Sequence, residues 1–187
     1  THRRSSAASD VYKRQNTPSA RFFDEGSHGV TIYDGSPDLK ATFTASPYNW
    51  LEASFFYTRI DDLPYCGDLS DPVCNQSYKD KGFNFKLRLR EEDNLPAIAI
   101  GAYDFAGTGF YSSEYIVASY GIRNLDLNFG LGWGGLNGSK FSFKNPLIFL
   151  DNSFEDRPIE TEDLGGQIQF SRYFSDKKVS PFFGLSY

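Results

Sequence analysis

The sequence predicts an all-β fold. The expected form is an antiparallel up-and-down meander of about nine strands, an incomplete segment of a transmembrane outer-membrane β-barrel. Three observations lead there. Residues 81–90, KGFNFKLRLR, set Phe83, Phe85, Leu87 and Leu89 against Asn84, Lys86, Arg88 and Arg90. A strand places alternate side chains on opposite faces, so this stretch has one apolar wall and one cationic wall. Comparable strands recur along the chain. From the second strand onward the connections run short and long in turn, as at the two ends of an outer-membrane barrel, with the short Asp34–Pro37 link as the exception.

Residues 16–26, NTPSARFFDEG, read as a turn-rich lead-in without a regular element. Short strands come next at 29–33 and 39–45, separated by Asp34-Gly35-Ser36-Pro37. The second alternates Leu39, Ala41, Phe43 and Ala45 with Lys40, Thr42 and Thr44. Ser46-Pro47-Tyr48-Asn49 makes a tight turn into a strand at 50–60, where Leu51, Ala53, Phe55 and Tyr57 oppose Glu52, Ser54 and Thr58. A long polar loop at 61–80 leads to the strand at 81–90, and a polar turn at 91–95 leads to an apolar strand at 96–103. The Gly-punctuated loop 104–111 precedes a strand at 114–120, and 121–124 turn the chain again. At 125–133, Leu125, Leu127, Phe129, Leu131 and Trp133 face away from Asp126, Asn128, Gly130 and Gly132. A second long loop spans 134–161. A strand at 164–174 sets Ile168 and Phe170 against Gln167, Gln169 and Ser171, and a turn at 175–178 opens a last, truncated strand.

Charge near the bilayer midplane costs about 2–4 kcal/mol for Lys or Arg on a lipid-facing position, so the polar faces are expected to point into a lumen. Trp50, Tyr57, Tyr103, Tyr120, Trp133 and Tyr173 fall near expected strand ends, where an aromatic girdle sits. The 18 Phe, 12 Tyr and 17 Gly fit such a barrel. Mean hydropathy is -0.46, and no run approaches the ~18 apolar residues of a transmembrane helix.

Residues 1–15, THRRSSAASDVYKRQ, share neither composition nor periodicity with the rest of the chain, and 8–15 resemble a translated sequencing adapter. They are expected to be a non-native leader, with 16–187 a partial barrel domain. Met is absent and the last strand pattern breaks off, so both ends look cut and the lack of a signal peptide does not set the compartment. The formal charge is -5, and the leader holds Arg3, Arg4, Lys13 and Arg14 against Asp10. The remainder is therefore more acidic still, which argues against a nucleic-acid partner.

Cys66 and Cys74 are the two cysteines, eight residues apart in the first long loop. A loop disulfide is favoured over zinc or free thiols, since the only histidines, His2 and His28, are remote in sequence. Gly107-Thr108-Gly109 lacks the Lys and helix start of a phosphate-binding loop. Paired acids such as Asp104 and Glu114 would serve a glycosidase only if the fold set them face to face across a sugar. No catalytic residue and no cofactor are expected.

The sequence resembles the YjbH/GfcD-type family of outer-membrane exopolysaccharide and capsule biosynthesis proteins. The resemblance is carried by Asn16-Thr17-Pro18-Ser19-Ala20-Arg21, by Ser46-Pro47-Tyr48-Asn49-Trp50-Leu51-Glu52 and by Phe56-Tyr57-Thr58. Its most specific part is LPAIAIGAYD at 95–104, running into Gly107-Thr108-Gly109 and EYIVAS at 114–119. It implies a large β-barrel lipoprotein or porin-like protein of the bacterial outer membrane. The implied partners are membrane lipid, a polysaccharide and other polysaccharide-secretion proteins. Lys86, Arg88 and Arg90 are then the leading lumen-facing candidates to meet a hydrated, often acidic, glycan, with Glu52, Asp126, Asn128, Gln167 and Gln169 beside them. The cations would serve equally well to balance lumen acids such as Glu52 and Asp126. A general pore or structural barrel is the alternative, and a soluble all-β glycan-binding module a further one.

Overall fold

The computed structural model describes residues 17–35, 38–65, 76–109, 111–138, 140–158, 168 and 170–187. The 1–15 leader, both cysteines, Gln167 and Gln169 lie outside the described residues. The strands are β1 (His28–Asp34), β2 (Asp38–Tyr48), β3 (Leu51–Pro64), β4 (Ser77–Arg90), β5 (Ala97–Tyr103), β6 (Ser113–Ile122), β7 (Leu125–Gly134), β8 (Phe143–Lys144) and β9 (Lys178–Ser186). Among the described residues they form one nine-stranded antiparallel sheet in the order β1-β2-β3-β4-β5-β6-β7-β9-β8. The sheet does not close, and β1 and β8 are its edges.

Two expectations need correction. The loop at 61–80 is shorter than expected, because the β3–β4 ladder continues through Thr58↔Asp80, Arg59↔Lys79 and Ile60↔Tyr78, and resumes at Pro64↔Ser77 after a register shift. Backbone pairing does not require apolar side chains, so polarity alone places the boundary too early. The strand expected at 164–174 is not found in its described part. Phe170–Arg172 is a 3-10 turn, and Phe174 lies just beyond it at φ 58. Side chains dictate this bend: Arg172 Nε donates to the Pro158 carbonyl at 3.2 Å, and Tyr173 Oη donates to the Phe105 carbonyl at 2.6 Å. The meander therefore ends at β7, which β9 pairs directly, with the two-residue β8 on the far side of β9.

Alternation gives the sheet two unlike faces. On one, cross-strand rows are apolar: Val30, Phe43, Phe55 and Phe83 line up across β1–β4. Leu51, Leu87, Ile100, Ile116, Leu131 and Pro181 line up from β3 to β9. Much of this face is uncovered, with Val30 69%, Phe129 58% and Phe183 62% exposed. On the other face lie Lys40, Thr42, Thr44, Glu52, Ser54, Thr58, Asp80, Asn84, Lys86, Ser119 and Asn128, and most of these are buried or half-buried. Normal globular packing is thus inverted, with the polar wall covered and the apolar wall bare.

The cover on the polar wall is the segment 17–26. It crosses the strands in order: Thr17 lies against Gly184 of β9, and the Ala20 amide donates to Ser119 Oγ of β6 at 2.7 Å. The Arg21 carbonyl accepts from Lys86 Nζ of β4, the Phe23 amide donates to Glu52 Oε2 of β3 at 3.2 Å, and the Gly26 amide donates to the Ser46 carbonyl of β2 at 2.7 Å. Ala20 and Phe22 form a small core with Ala97, Ala99, Tyr115 and Val117. Glycines on the wall make room for what packs there: Gly184 for Thr17 of the strap, and Gly130 for the Phe182 ring of β9. At Gly130 an added Cβ would sit 2.5 Å from the Ile116 carbonyl, a backbone atom that cannot swing away. Gly130→Ala is expected to cost about 1–3 kcal/mol in urea unfolding.

Part of the apolar face is covered at one end. Residues 145–158 and 170–175 pack over it, with Trp133 edge-on to Phe174 at 5.1 Å and Phe105 stacked on Tyr173 at 5.0 Å. The expected aromatic girdle is therefore only partly formed. Trp50 (stacked on Tyr48) and Tyr57 are exposed, but Trp133 is buried and Tyr103 turns to the polar wall beside Tyr115.

Candidate functional site

The polar wall under the strap gathers most of the candidate residues that the structure describes. Strand parity explains why. Glu52 and Lys86 are register partners, as are Ser119 and Asn128, and all four point to the strap side. Lys86 Nζ lies 2.9 Å from Glu52 Oε1. It also donates to the Arg21 carbonyl and sits 4.4 Å from the centre of the Phe22 ring. The Arg88 guanidinium covers the same ring at 4.5 Å, while its Nη1 reaches Glu91 at 2.8 Å. Two cations lie over this one buried ring, and the cation–π contacts help to hold the strap down. Arg90 stands apart at the β4–β5 turn, paired with Asp93 at 2.8 Å. Asn128 accepts from Ser119 Oγ and is fully buried.

Asp126 is held by a residue that strand reading passes over. Arg21 of the strap reaches Asp126 Oδ1 through Nη2 at 2.6 Å and through Nε at 3.2 Å, and it also pairs with Glu92. Burial opposes the Arg21 charge, but the hydrogen bonds and field of Asp126 and Glu92 outweigh it and raise its pKa. The sequence holds one signal for this segment. Consecutive Phe22-Phe23 beside Arg21 are out of place in a solvated loop and fit a stretch buried against something polar.

Between the strap and strands β3–β6 lies a cavity of about 130 Å3, bounded by Thr17, Ser19, Ser54, Asn84, Tyr103 and Tyr115. Further along the same wall the Gly107-Thr108-Gly109 loop tucks inward. Thr108 Oγ1 donates to Asp80 Oδ1 at 2.7 Å, and Tyr111 Oη donates to Asp38 Oδ2 at 3.2 Å. Burial, and then the Asp38 carboxylate, push the Tyr111 hydroxyl well up from its ordinary pKa. Lys40 Nζ lies over the Phe56 ring at 4.3 Å. Asp104 and Glu114 do not face each other across a cleft. Asp104 accepts from the Tyr111 amide, whereas Glu114 is committed to Arg157.

Removing Arg21 leaves two partly buried carboxylates without their cation. Arg21→Ala is expected to cost about 1–3 kcal/mol and to speed proteolysis within the strap. Arg59→Ala, which breaks the half-exposed pair with Asp61, should leave the unfolding midpoint essentially where it is in wild type. Equal effects of the two would show that the strap is not anchored by Arg21.

Among known proteins, residues 14–187 match the YjbH family model, described as "Exopolysaccharide biosynthesis protein YbjH". The chain is 37% identical over 147 residues to the "Uncharacterized lipoprotein YjbH" of Escherichia coli (strain K12). That alignment covers 74% of this chain and 21% of the relative, so the chain spans about a fifth of that protein's length. No solved structure matches.

Proposed function

The chain belongs to the YjbH family of exopolysaccharide biosynthesis proteins, and from this we propose that it is part of the wall of an outer-membrane β-barrel that helps assemble or export an extracellular polysaccharide. One observation carries the barrel reading: the inverted sheet, with apolar rows bare and polar rows covered. In water, bare rows of Phe, Leu and Ile across several strands are an aggregation liability, whereas facing lipid they are the stable arrangement. The open edges at β1 and β8 suit a wall that further strands complete. Connections at one end are short (β2–β3, β4–β5, β6–β7), and the longer ones (β3–β4, β5–β6, β7–β9) stand at the other beside the short β1–β2 link, an asymmetry that suits periplasmic and external sides.

The family supplies the polysaccharide, and the relative's name supplies lipoprotein anchoring as a further part of the proposal. The role is positioning and passage with no catalytic step, and the partners are membrane lipid, the polysaccharide and other secretion proteins. A general diffusion pore fits less well, because the strap lies across the polar wall where a pore would carry water. The test is fractionation of the full-length protein. It should stay with the outer membrane, require detergent for extraction and migrate faster in gels when unheated, and its loss should abolish polysaccharide secretion. A full-length protein that remains in the aqueous fraction would overturn the reading.

A further inference from the structure

We propose that the cavity between the strap and strands β3–β6 is a subsite for one uncharged sugar residue, and that this wall discriminates against acidic polymers. The inference deepens the polysaccharide reading above and rests on it.

Charge decides the class of sugar. An acidic sugar gives up part of the solvation of its carboxylate on entering a half-enclosed site, and an uncommitted cation is what compensates for that. Among the described residues the cavity offers none of that kind. Lys86 is used by Glu52, by the Arg21 carbonyl and by the Phe22 ring. Arg21 is used by Asp126 and Glu92. Among the described residues these two cations serve Glu52, Asp126 and Glu92, and an incoming anion would meet Glu52 already in place. Arg88 and Arg90, which are not among the residues that line the cavity, pair with the exposed Glu91 and Asp93.

The rest of the lining is neutral and mixed. Thr17, Ser19 and Ser54 bring hydroxyls, Asn84 brings an amide, and Tyr103 and Tyr115, packed on each other with ring centres 5.3 Å apart, bring aromatic carbon. A pyranose needs that mixture, because its hydroxyls take donors and acceptors while its C–H face packs on aromatic carbon. At about 130 Å3 the space is on the scale of one sugar ring rather than two.

The probes are a neutral glucose hexamer and a hexuronate of equal length, titrated into the full-length protein in detergent. The neutral hexamer is expected to bind at least about tenfold more tightly. Its affinity should change by less than about twofold between low and physiological salt. Ser54→Trp, which fills the cavity while leaving every charged residue in place, should abolish that binding. Ser19→Tyr does the same from the strap side, and retention of heat-modifiable mobility shows that each variant still folds. Tighter, salt-sensitive binding of the hexuronate would overturn the proposal. So would neutral binding that survives both variants, or no saturable binding of either probe. A protein that inserts and restores secretion but binds neither probe would sink the subsite alone. A protein that never reaches the membrane would sink the reading beneath it.

Discussion

Arg157→Ala is expected to destabilise the folded protein by about 3–5 kcal/mol, measured as urea unfolding in phospholipid vesicles. Glu114 occupies a position on β6 that shares its face with Ile116 and Ala118, yet it is 0% exposed. It is tolerable there because residues 145–158 and 170–175 fold over that end of the sheet and bring Arg157 to it in a two-pronged pair: Nη1 to Oε2 at 2.7 Å, and Nη2 to Oε1 at 2.9 Å. The same guanidinium donates to Ser112 Oγ at 2.7 Å and to the Arg172 carbonyl at 3.1 Å, and Glu114 also accepts from the Phe174 amide at 2.9 Å. Removing the cation strands a desolvated carboxylate and unties the covering segment. Replacing both partners, as in Glu114→Leu with Arg157→Met, removes the charge problem and should recover much of the loss. A single variant within about 0.5 kcal/mol of wild type would show that the covering segment does not depend on this pair.

Phe129→Arg is the second large effect, and its sign depends on the solvent. Phe129 lies mid-strand in β7 beside Phe183 of β9, on the bare apolar face and 58% exposed. Facing lipid, an arginine there should cost about 2–4 kcal/mol near the midplane, less toward the interface. Facing water, the same change at so exposed a position would be neutral within about 0.5 kcal/mol and would improve solubility. Asn128→Leu, one residue away, should also be harmful, but for the opposite reason. It removes the acceptor of Ser119 Oγ on the polar wall.

Much of the sheet is legible in the sequence because period-two alternation acts residue by residue. Residues 125–133 and 81–90 each declare two faces, and the register then aligns Leu87 with Ile100 and Glu52 with Lys86. What alternation cannot show is a contact made by a segment without a period. The strap reads as a lead-in because its backbone is satisfied by wall side chains such as Ser119 and Glu52, with no neighbouring strand to signal it. Arg21 is missed for the same reason, although it balances Asp126 as the strand cations were expected to do. Residues 170–174 carry a plausible strand pattern, but Arg172 and Tyr173 find side-chain and carbonyl partners that hold them in a bend. Glu114 sits at the start of β6, and its partner Arg157 lies 43 residues further on, a distance no local pattern spans.

The most direct measurement is a nitroxide scan of full-length protein in native outer membrane, with single cysteines placed from Asp126 to Leu131. Labels at 127, 129 and 131 should be accessible to oxygen dissolved in lipid and shielded from a water-soluble nickel complex. Labels at 126, 128 and 130 should be shielded from lipid-borne oxygen. A lipid-facing wall would give that two-residue oscillation along β7. If 127, 129 and 131 instead meet the aqueous quencher, the apolar face is covered by protein or water and the barrel reading is wrong.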